Sequence, residues 1–268
     1  MFSPTLLTAP FRVLPDFVII GAQKCGTTTL YNTLTRHPSV GAASRKEVHF
    51  FDNEHDRGAL WYRSHFPLAF ERWRHRHAGL KFVAGEASPY YLFHPHAPAR
   101  CQALLPETRL IAILRNPVDR AYSHYHHAVR RGFETLPFEE AIEKEDDRVS
   151  GEHKRMLADP HYVSSAHQHF SYVSRGFYLD QLCAWLRVFP REQLLVVQLS
   201  DLHRQPAPTW TCLFEFLGIE PRDLGVPPRW GRATYEPLDP RMRNLLRERF
   251  QQPNARLYEW LGRDLGWE

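Results

Sequence analysis

Three groups of residues in this 268-residue chain have types and spacings that could do chemistry. The first is a glycine loop, "GAQKCGTTT" at 21–29. Gly21 and Gly26 have the separation of a nucleotide phosphate loop, G-x-x-x-x-G-K-[ST]. The usual lysine position holds Thr27 instead, and Lys24 lies inside the loop. An apolar run, Phe17–Ile20, precedes the loop, and a helical pattern with Leu30 and Leu34 one turn apart follows it. A strand, loop and helix in that order aim the free amides of residues 25 to 29 at an anion. Cys25 and Gly26 supply such amides, and Thr27, Thr28 and Thr29 add hydroxyls.

The second group is Glu47 and His49 in "SRKEVHFFD". At i and i+2 in an extended segment, both project to one side while Val48 and Phe50 face the core. A carboxylate there could accept a proton from an attacking hydroxyl or amine. His49 could be the base instead, or could orient the acceptor. As a base Glu47 needs a pKa raised by partial burial, against the charges of Lys24 and Lys46. The third group is Arg115 and Ser123, with Asp119 midway, on one helical face. An arginine and a serine at a helix start suit a second anion.

What the pattern lacks narrows the chemistry. A phosphate-loop NTPase holds magnesium with an aspartate at the end of a second strand. Here the clear second strand runs into Arg115, and Asp201 is the one candidate. A transferred group with fewer charges than a γ-phosphate needs less metal. A sulfuryl group meets that condition, since one lysine can steady the leaving phosphate oxygen. Two anion sites suit a nucleotide with phosphates at both ends of its ribose. His124 and His127 are i, i+3 neighbours without an obvious third ligand, so no metal site is expected.

The positioning elements follow from periodicity. Phe17–Ile20, Lys81–Ala84, Leu110–Leu114 and Gln193–Leu199 read as strands. Helical stretches alternate with them, one opening on Asn116 as N-cap and Pro117 as first residue. This predicts an α/β fold: a single domain over 16–268, with a central parallel sheet flanked by helices and an N-terminal extension at 1–15. Residues 145–172 are polar with little periodicity and read as a long loop, either a mobile acceptor-side element or a plain insertion. Hydrophobic residues are 43%, charged residues 24% and net charge +4, which is ordinary globular usage with a mild basic bias. Cys25, Cys101, Cys183 and Cys212 are scattered, which argues against a disulfide framework. No leader pattern or membrane span is visible, so a soluble, cytoplasmic protein is expected. "ERWRHRH" at 71–77 reads as a solvated helix face, so no nucleic-acid partner is expected. Trp61 and Tyr62 could line an acceptor cleft, with packing favoured.

The segments "GAQKCGTTTLYNTLTRHPSV", "KEVHFFD", "GEASPYYLF", "ILRNPVDRAYSHY" and "RGFYLDQLCAWLRVFPREQLLVVQLSDL" together resemble the heparan-sulfate-type sulfotransferases and their bacterial relatives, over roughly residues 16–265. The resemblance implies a fold like the P-loop nucleotide kinases. It implies 3′-phosphoadenosine 5′-phosphosulfate (PAPS) as donor, 3′,5′-ADP (PAP) as product, and no required metal. By position, Lys24 to Thr29 would hold the 5′-phosphosulfate, with Lys24 stabilising the departing oxygen. Arg115 and Ser123 would hold the 3′-phosphate, and Glu47 would be the base. Gly231 and Arg232 in "WGRATYEPLD" would close over the nucleotide. Ala87 stands where heparan-modifying members often carry a lysine, and the family's cysteine pair near the late loop is missing, which speaks against an animal polysaccharide; the acceptor expected is a carbohydrate or another small metabolite. A magnesium-dependent kinase and a non-catalytic nucleotide-binding module are the rival readings. Acceptor identity, O- versus N-sulfation and oligomeric state are not written in these residues.

Overall fold

The apolar run that opens the chain is the middle of a sheet. In the computed structural model, which describes residues 4–228 and 235–267, five strands form: β1 (Phe17–Gly21), β2 (Val40–Ala42), β3 (Val83–Ala87), β4 (Arg109–Leu114) and β5 (Leu194–Gln198). Their order is β2-β3-β1-β4-β5 and every pair is parallel. All five residues of β1 are buried, as are those of β3. A strand covered on both faces has no polar side to show, so it reads as an unbroken apolar run. β1 lies between β3 and β4, so the chain crosses it in passing from one to the other. In open α/β sheets ligands bind beyond the carboxyl ends of strands at such a reversal.

The chain clusters into two units that interleave in sequence. The first comprises Met1–Ala22, Gly26–Leu114 and Leu186–Gly231; the second comprises Gln23–Cys25, Arg115–Trp185 and Arg232–Glu268. The whole sheet belongs to the first unit, with helices α1 (Thr27–Leu34), α2 (Ala59–Arg63) and α3 (Ala97–Leu104). Two strand expectations need correction. β3 runs to Ala87 rather than ending at Ala84, because the sequence pattern discounts Gly85 and Glu86, although both are buried. β2 was not anticipated; three residues are too few to show a period.

The second unit contains α4 (Pro117–Arg130), α5 (Glu145–Val149), α6 (Glu152–Ala158), α7 (Ser165–His169), most of α8 (Tyr178–Leu186), and α9 (Pro240–Leu261). α4 starts as its sequence predicts: the Asn116 side chain accepts from the Val118 N–H at 2.9 Å, and Pro117 follows the cap. Its apolar face, Val118, Ala121 and Ala128, packs with Phe138, Leu246 and Phe250. Residues 145–172, expected as a long loop, fold into α5, α6 and α7. Buried acceptors rather than an apolar stripe pin them. Glu145 takes the N–H groups of Val173 and Ser174 at 2.6 and 2.8 Å. Glu152 takes the hydroxyls of Tyr162, at 2.7 Å, and Ser164. Glu134 takes Arg148 at 2.6 Å and Tyr172 at 2.8 Å. Helices of five to seven residues held by inward-facing carboxylates leave no periodic signal.

Candidate active site

The glycine loop ends where α1 begins. Gly26 caps the helix at φ 90°, a left-handed conformation that disfavours a Cβ. A Cβ there would also meet Leu199 Cδ1 at 2.5 Å. The first bond inside the helix runs from the Leu30 N–H to the Gly26 carbonyl at 2.9 Å, so the amides of Thr27, Thr28 and Thr29 face out of the helix end. Thr27 and Thr29 are buried and Thr28 is half-buried. These residues lie in the first unit, as do Glu47 and His49.

Among the described residues, the non-glycine positions at positive φ are Lys24 (67°), Glu47 (40°) and His49 (59°). Left-handed backbone is unfavourable for a residue with a side chain and gathers at functional sites. All three are residues that the sequence singles out for chemistry.

Glu47 and His49 are not on an extended segment, which corrects the i, i+2 argument; two left-handed residues bring their side chains together instead. His49 Nε2 is 3.2 Å from Glu47 Oε2, and His49 Nδ1 is 2.8 Å from Asp52 Oδ2. Lys46 Nζ is 2.9 Å from Glu47 Oε1. Asp52 is fully buried. Burial alone would lower the pKa of His49, but the bonds and charges of Asp52 and Glu47 prevail and lift it to about 10. Burial alone would raise Glu47, but the His49 bond and the Lys46 charge prevail and hold it at about 2. The raised carboxylate that the sequence argument called for is therefore absent. The site holds an imidazolium between two carboxylates, and both of its ring nitrogens donate. Asp52 stands in the quoted "KEVHFFD", yet its part was not anticipated; the i, i+3 step from His49 was the available signal.

Two more elements fix this segment. The Ser88 hydroxyl accepts from the His49 N–H at 3.2 Å, and the Tyr91 hydroxyl accepts from the Phe50 N–H at 2.7 Å. Arg100 donates to the Phe51 and Asp52 carbonyls at 3.2 and 2.8 Å. Val48, Phe50 and Phe51 are buried, and Tyr62 stacks on Phe50 at 4.5 Å. Tyr62 is thus a packing residue.

Lys24, Cys25, Arg115 and Ser123 lie in the second unit. Cys25 and Arg115 are tied through Tyr178, whose hydroxyl donates to the Arg115 carbonyl at 2.8 Å and lies 3.5 Å from Cys25 Sγ. Burial pushes the Cys25 thiol up, so the side chain is neutral and structural, and only its amide is available to an anion. Arg115 is half-buried, 3.9 Å from Asp119, which Arg243 holds at 3.0 Å; Ser123 lies half-buried two turns along the same helix. Two buried guanidinium groups of the same unit, Arg120 and Arg175, carry no signal in the sequence pattern. Arg120 is fully buried, donates to the Tyr172 carbonyl, and has Nε and Nη1 without a partner among the described residues. Arg175 is buried and donates to the His167 and Gln168 carbonyls at 2.9 and 2.8 Å. Arg115 and Arg120 stand close enough for their charges to oppose one another, with Asp119 and Glu145 as the facing carboxylates, a setting that suits an anionic ligand.

His124 is buried, and burial followed by the Arg175 and Arg120 charges keeps it neutral. Among the described residues no three His, Cys, Asp or Glu side chains are grouped to hold a metal ion. No helix of the described residues is long and apolar enough to cross a membrane. Gly231 and Arg232 lie outside the described residues.

The pattern that defines the Sulfotransferase domain family matches residues 14–238, most of the chain and all five strands, and the chain belongs to that family of sulfate-transferring enzymes. It is 28% identical to the membrane-associated sulfotransferase kil1 of Dictyostelium discoideum, over 95% of this chain and 67% of that protein. It is 30% identical to the human heparan sulfate glucosamine 3-O-sulfotransferase 3A1, over 98% of this chain and 64% of that protein. The chain thus spans about two thirds of the length of these relatives. Among solved structures, a sulfotransferase from Alicyclobacillus acidocaldarius superposes with a TM-score of 0.73 at 32% identity, covering 94% of this chain and 98% of that one. The expected fold class, an α/β parallel sheet flanked by helices, matches what is observed.

Proposed function

We propose that the protein transfers a sulfuryl group from PAPS to a hydroxyl or amine of a carbohydrate acceptor. The acceptor atom attacks sulfur, the bond from sulfur to the 5′-phosphate oxygen breaks, and PAP leaves with that oxygen. Glu47 takes the acceptor's proton. The observation that carries this assignment is the Glu47–His49–Asp52 array on left-handed backbone. It also favours Glu47 over His49 as base: an imidazole held at about 10 is already protonated at neutral pH and cannot accept. His49 instead fixes the carboxylate, and an acceptor that displaces it lets Glu47 rise from its resting pKa of about 2 toward useful basicity. Lys24, with the amides and hydroxyls of Cys25 to Thr29, would hold the 5′-phosphosulfate, and Arg115 with Ser123 the 3′-phosphate. Gly231 and Arg232 belong to the donor side by sequence alone. No metal is needed in this reading, because a lysine and a helix N-terminus neutralise the leaving group.

A carbohydrate acceptor is supported by the relatives named for heparan sulfate glucosamine. Ala87 is buried in β3, so the lysine that heparan-modifying members often place there has no counterpart at this position. A cytoplasmic location is part of the reading and rests on four unpaired cysteines, two of them buried. Calorimetry comparing PAP with ATP, and a labelled-sulfate transfer assay with PAPS over heparan sulfate and simpler glucosamine glycans, test the proposal. PAP binding and sulfate incorporation that vanish in Lys24→Ala are expected. Tight magnesium-dependent ATP binding without PAP binding would replace this reading with a kinase.

A further inference from the structure

Glu86 is a carboxylate in β3, the strand between β2 and the central β1, with no exposed surface. A buried charge of this kind persists only when it is well satisfied. Three hydroxyls converge on it. Tyr62 and Tyr91 donate to Oε1 at 2.9 and 3.0 Å, and Ser88 donates to Oε2 at 2.7 Å. Two of those hydroxyls have a second task. Having given their single hydrogen to Glu86, Ser88 Oγ and Tyr91 Oη present lone pairs to the His49 and Phe50 N–H groups. The third, Tyr62, touches no amide of that segment through its hydroxyl.

We infer that Glu86 is the positioning residue of the proton acceptor: through Ser88 and Tyr91 it fixes the hydroxyl directions that hold the left-handed backbone from which Glu47 and His49 project. This rests on the sulfuryl-transfer reading above. An ionised carboxylate accepts at every lone pair, so it dictates the direction of each hydroxyl hydrogen. A protonated or amide side chain in its place brings a donor of its own, turns one hydroxyl around, and removes an acceptor from the 49–50 backbone. Burial lifts Glu86 to about 6, despite the hydroxyl bonds that oppose it. Its titratable neighbours are Tyr31 of α1, Tyr62 of α2, Cys101 of α3, Tyr91 and Asp52. Among these Asp52, as an anion, pushes Glu86 further up. Before the acceptor binds, Glu47 stays ionised down to about 2, so an acid limb near pH 6 in kcat/KM for the acceptor belongs to Glu86.

The test uses the full chain with Glu86→Gln, Ser88→Ala, Tyr91→Phe and Tyr62→Phe. Each hydroxyl variant removes one bond to Glu86, but only those at 88 and 91 release the catalytic backbone. The readouts are melting temperature, the His49 imidazole titration by NMR, and kcat, KM and pH profile for transfer from PAPS to heparan sulfate. Ser88→Ala and Tyr91→Phe are expected to lower kcat roughly tenfold to a hundredfold with little change in the KM for donor. Tyr62→Phe is expected to melt at a comparably lower temperature while keeping kcat within about threefold. The His49 midpoint is expected to fall below its value of about 10 in the variants at 86, 88 and 91 and to hold in Tyr62→Phe. Glu86→Gln should also lose the acid limb. Equal behaviour of the three hydroxyl variants in kcat and in the His49 titration overturns the inference and leaves Glu86 a core anchor. A wild-type chain that binds no PAP and transfers no sulfate overturns the functional reading instead, and the NMR titration still decides the role of Glu86. If Glu86→Gln does not fold, the hydroxyl variants carry the decision.

Discussion

Replacing Asp52 with asparagine isolates the charge that holds His49. Asp52 is fully buried, its Oδ2 lies 2.8 Å from His49 Nδ1, and its Oδ1 accepts from the Asn53 N–H at 2.5 Å. Asparagine keeps the shape and one acceptor but removes the anion. In the native protein two carboxylates, opposed by burial, move His49 from 6.5 to about 10. At about 1.4 kcal/mol per pH unit this favours the imidazolium by a few kcal/mol, shared between Asp52 and Glu47. Asp52 makes the shorter contact in the more buried setting, so its loss should bring His49 down by about two pH units. The consequence for stability has a definite sign. A histidine with a raised pKa stabilises the fold fully below 6.5, and that contribution disappears as pH rises through about 10. The wild-type melting temperature should therefore decline between those limits, and the Asp52→Asn variant should finish its decline earlier. NMR titration of labelled histidine, with melting curves from pH 6 to 11 as an order-of-magnitude window, measures both. A wild-type His49 midpoint near 6.5, or a midpoint that Asp52→Asn leaves in place, refutes the ion-pair array and with it the reason for assigning the base to Glu47.

Three further outcomes follow from the same geometry. Glu47→Gln should lower kcat by roughly 10² to 10⁴ while PAP affinity by calorimetry is unchanged; a variant that keeps wild-type turnover removes Glu47 from the mechanism. Gly26→Ala forces a Cβ onto a residue at φ 90° and against Leu199, so it should destabilise the protein by about 1–3 kcal/mol in denaturant titrations and weaken PAP binding; wild-type behaviour would show that the loop adapts. Arg148→Ala strips the buried Glu134 of its cation at 2.6 Å and should cost about 3 kcal/mol, with a gain in stability on mild acidification as the stranded carboxylate protonates; no loss would mean that Tyr172 and the amides of Thr135 and Leu136 suffice.

What the sequence shows and what it hides divide along physical lines. β1 and β4 are legible because burial on both faces leaves an uninterrupted apolar run, and the start of α4 is legible because Asn116 and Pro117 act locally. β3 is half-hidden because a glycine and a carboxylate break its apolar run, and the hydroxyls that satisfy Glu86, two of them close by at Ser88 and Tyr91 and one distant at Tyr62, carry no strand signal. The helices at 145–169 are hidden because inward-facing carboxylates, not an apolar stripe, hold them. In the candidate site, Lys24, Glu47 and His49, named from residue type and order, all stand on left-handed backbone, whereas their protonation states are set by contacts that residue order does not contain. Proximity to Lys46 was visible in the chain, whereas the Asp52–His49–Glu47 contacts depend on a turn whose backbone conformation has no glycine to announce it.

The strand order also bears on how the protein is made. The apolar run Phe17–Ile20 finds its partners at Gly85 and Arg109, far downstream. No strand in the sheet pairs with a neighbour through a tight hairpin, so loop-closure entropy opposes every pairing before any contact rewards it. During synthesis β1 therefore emerges from the ribosome with nothing to bind until β3 follows, and its other edge stays open until β4 has come out as well. Refolding from denaturant should be slow for the same reason and should improve on dilution, because in that interval the exposed run meets other copies of itself as readily as its own distant strands.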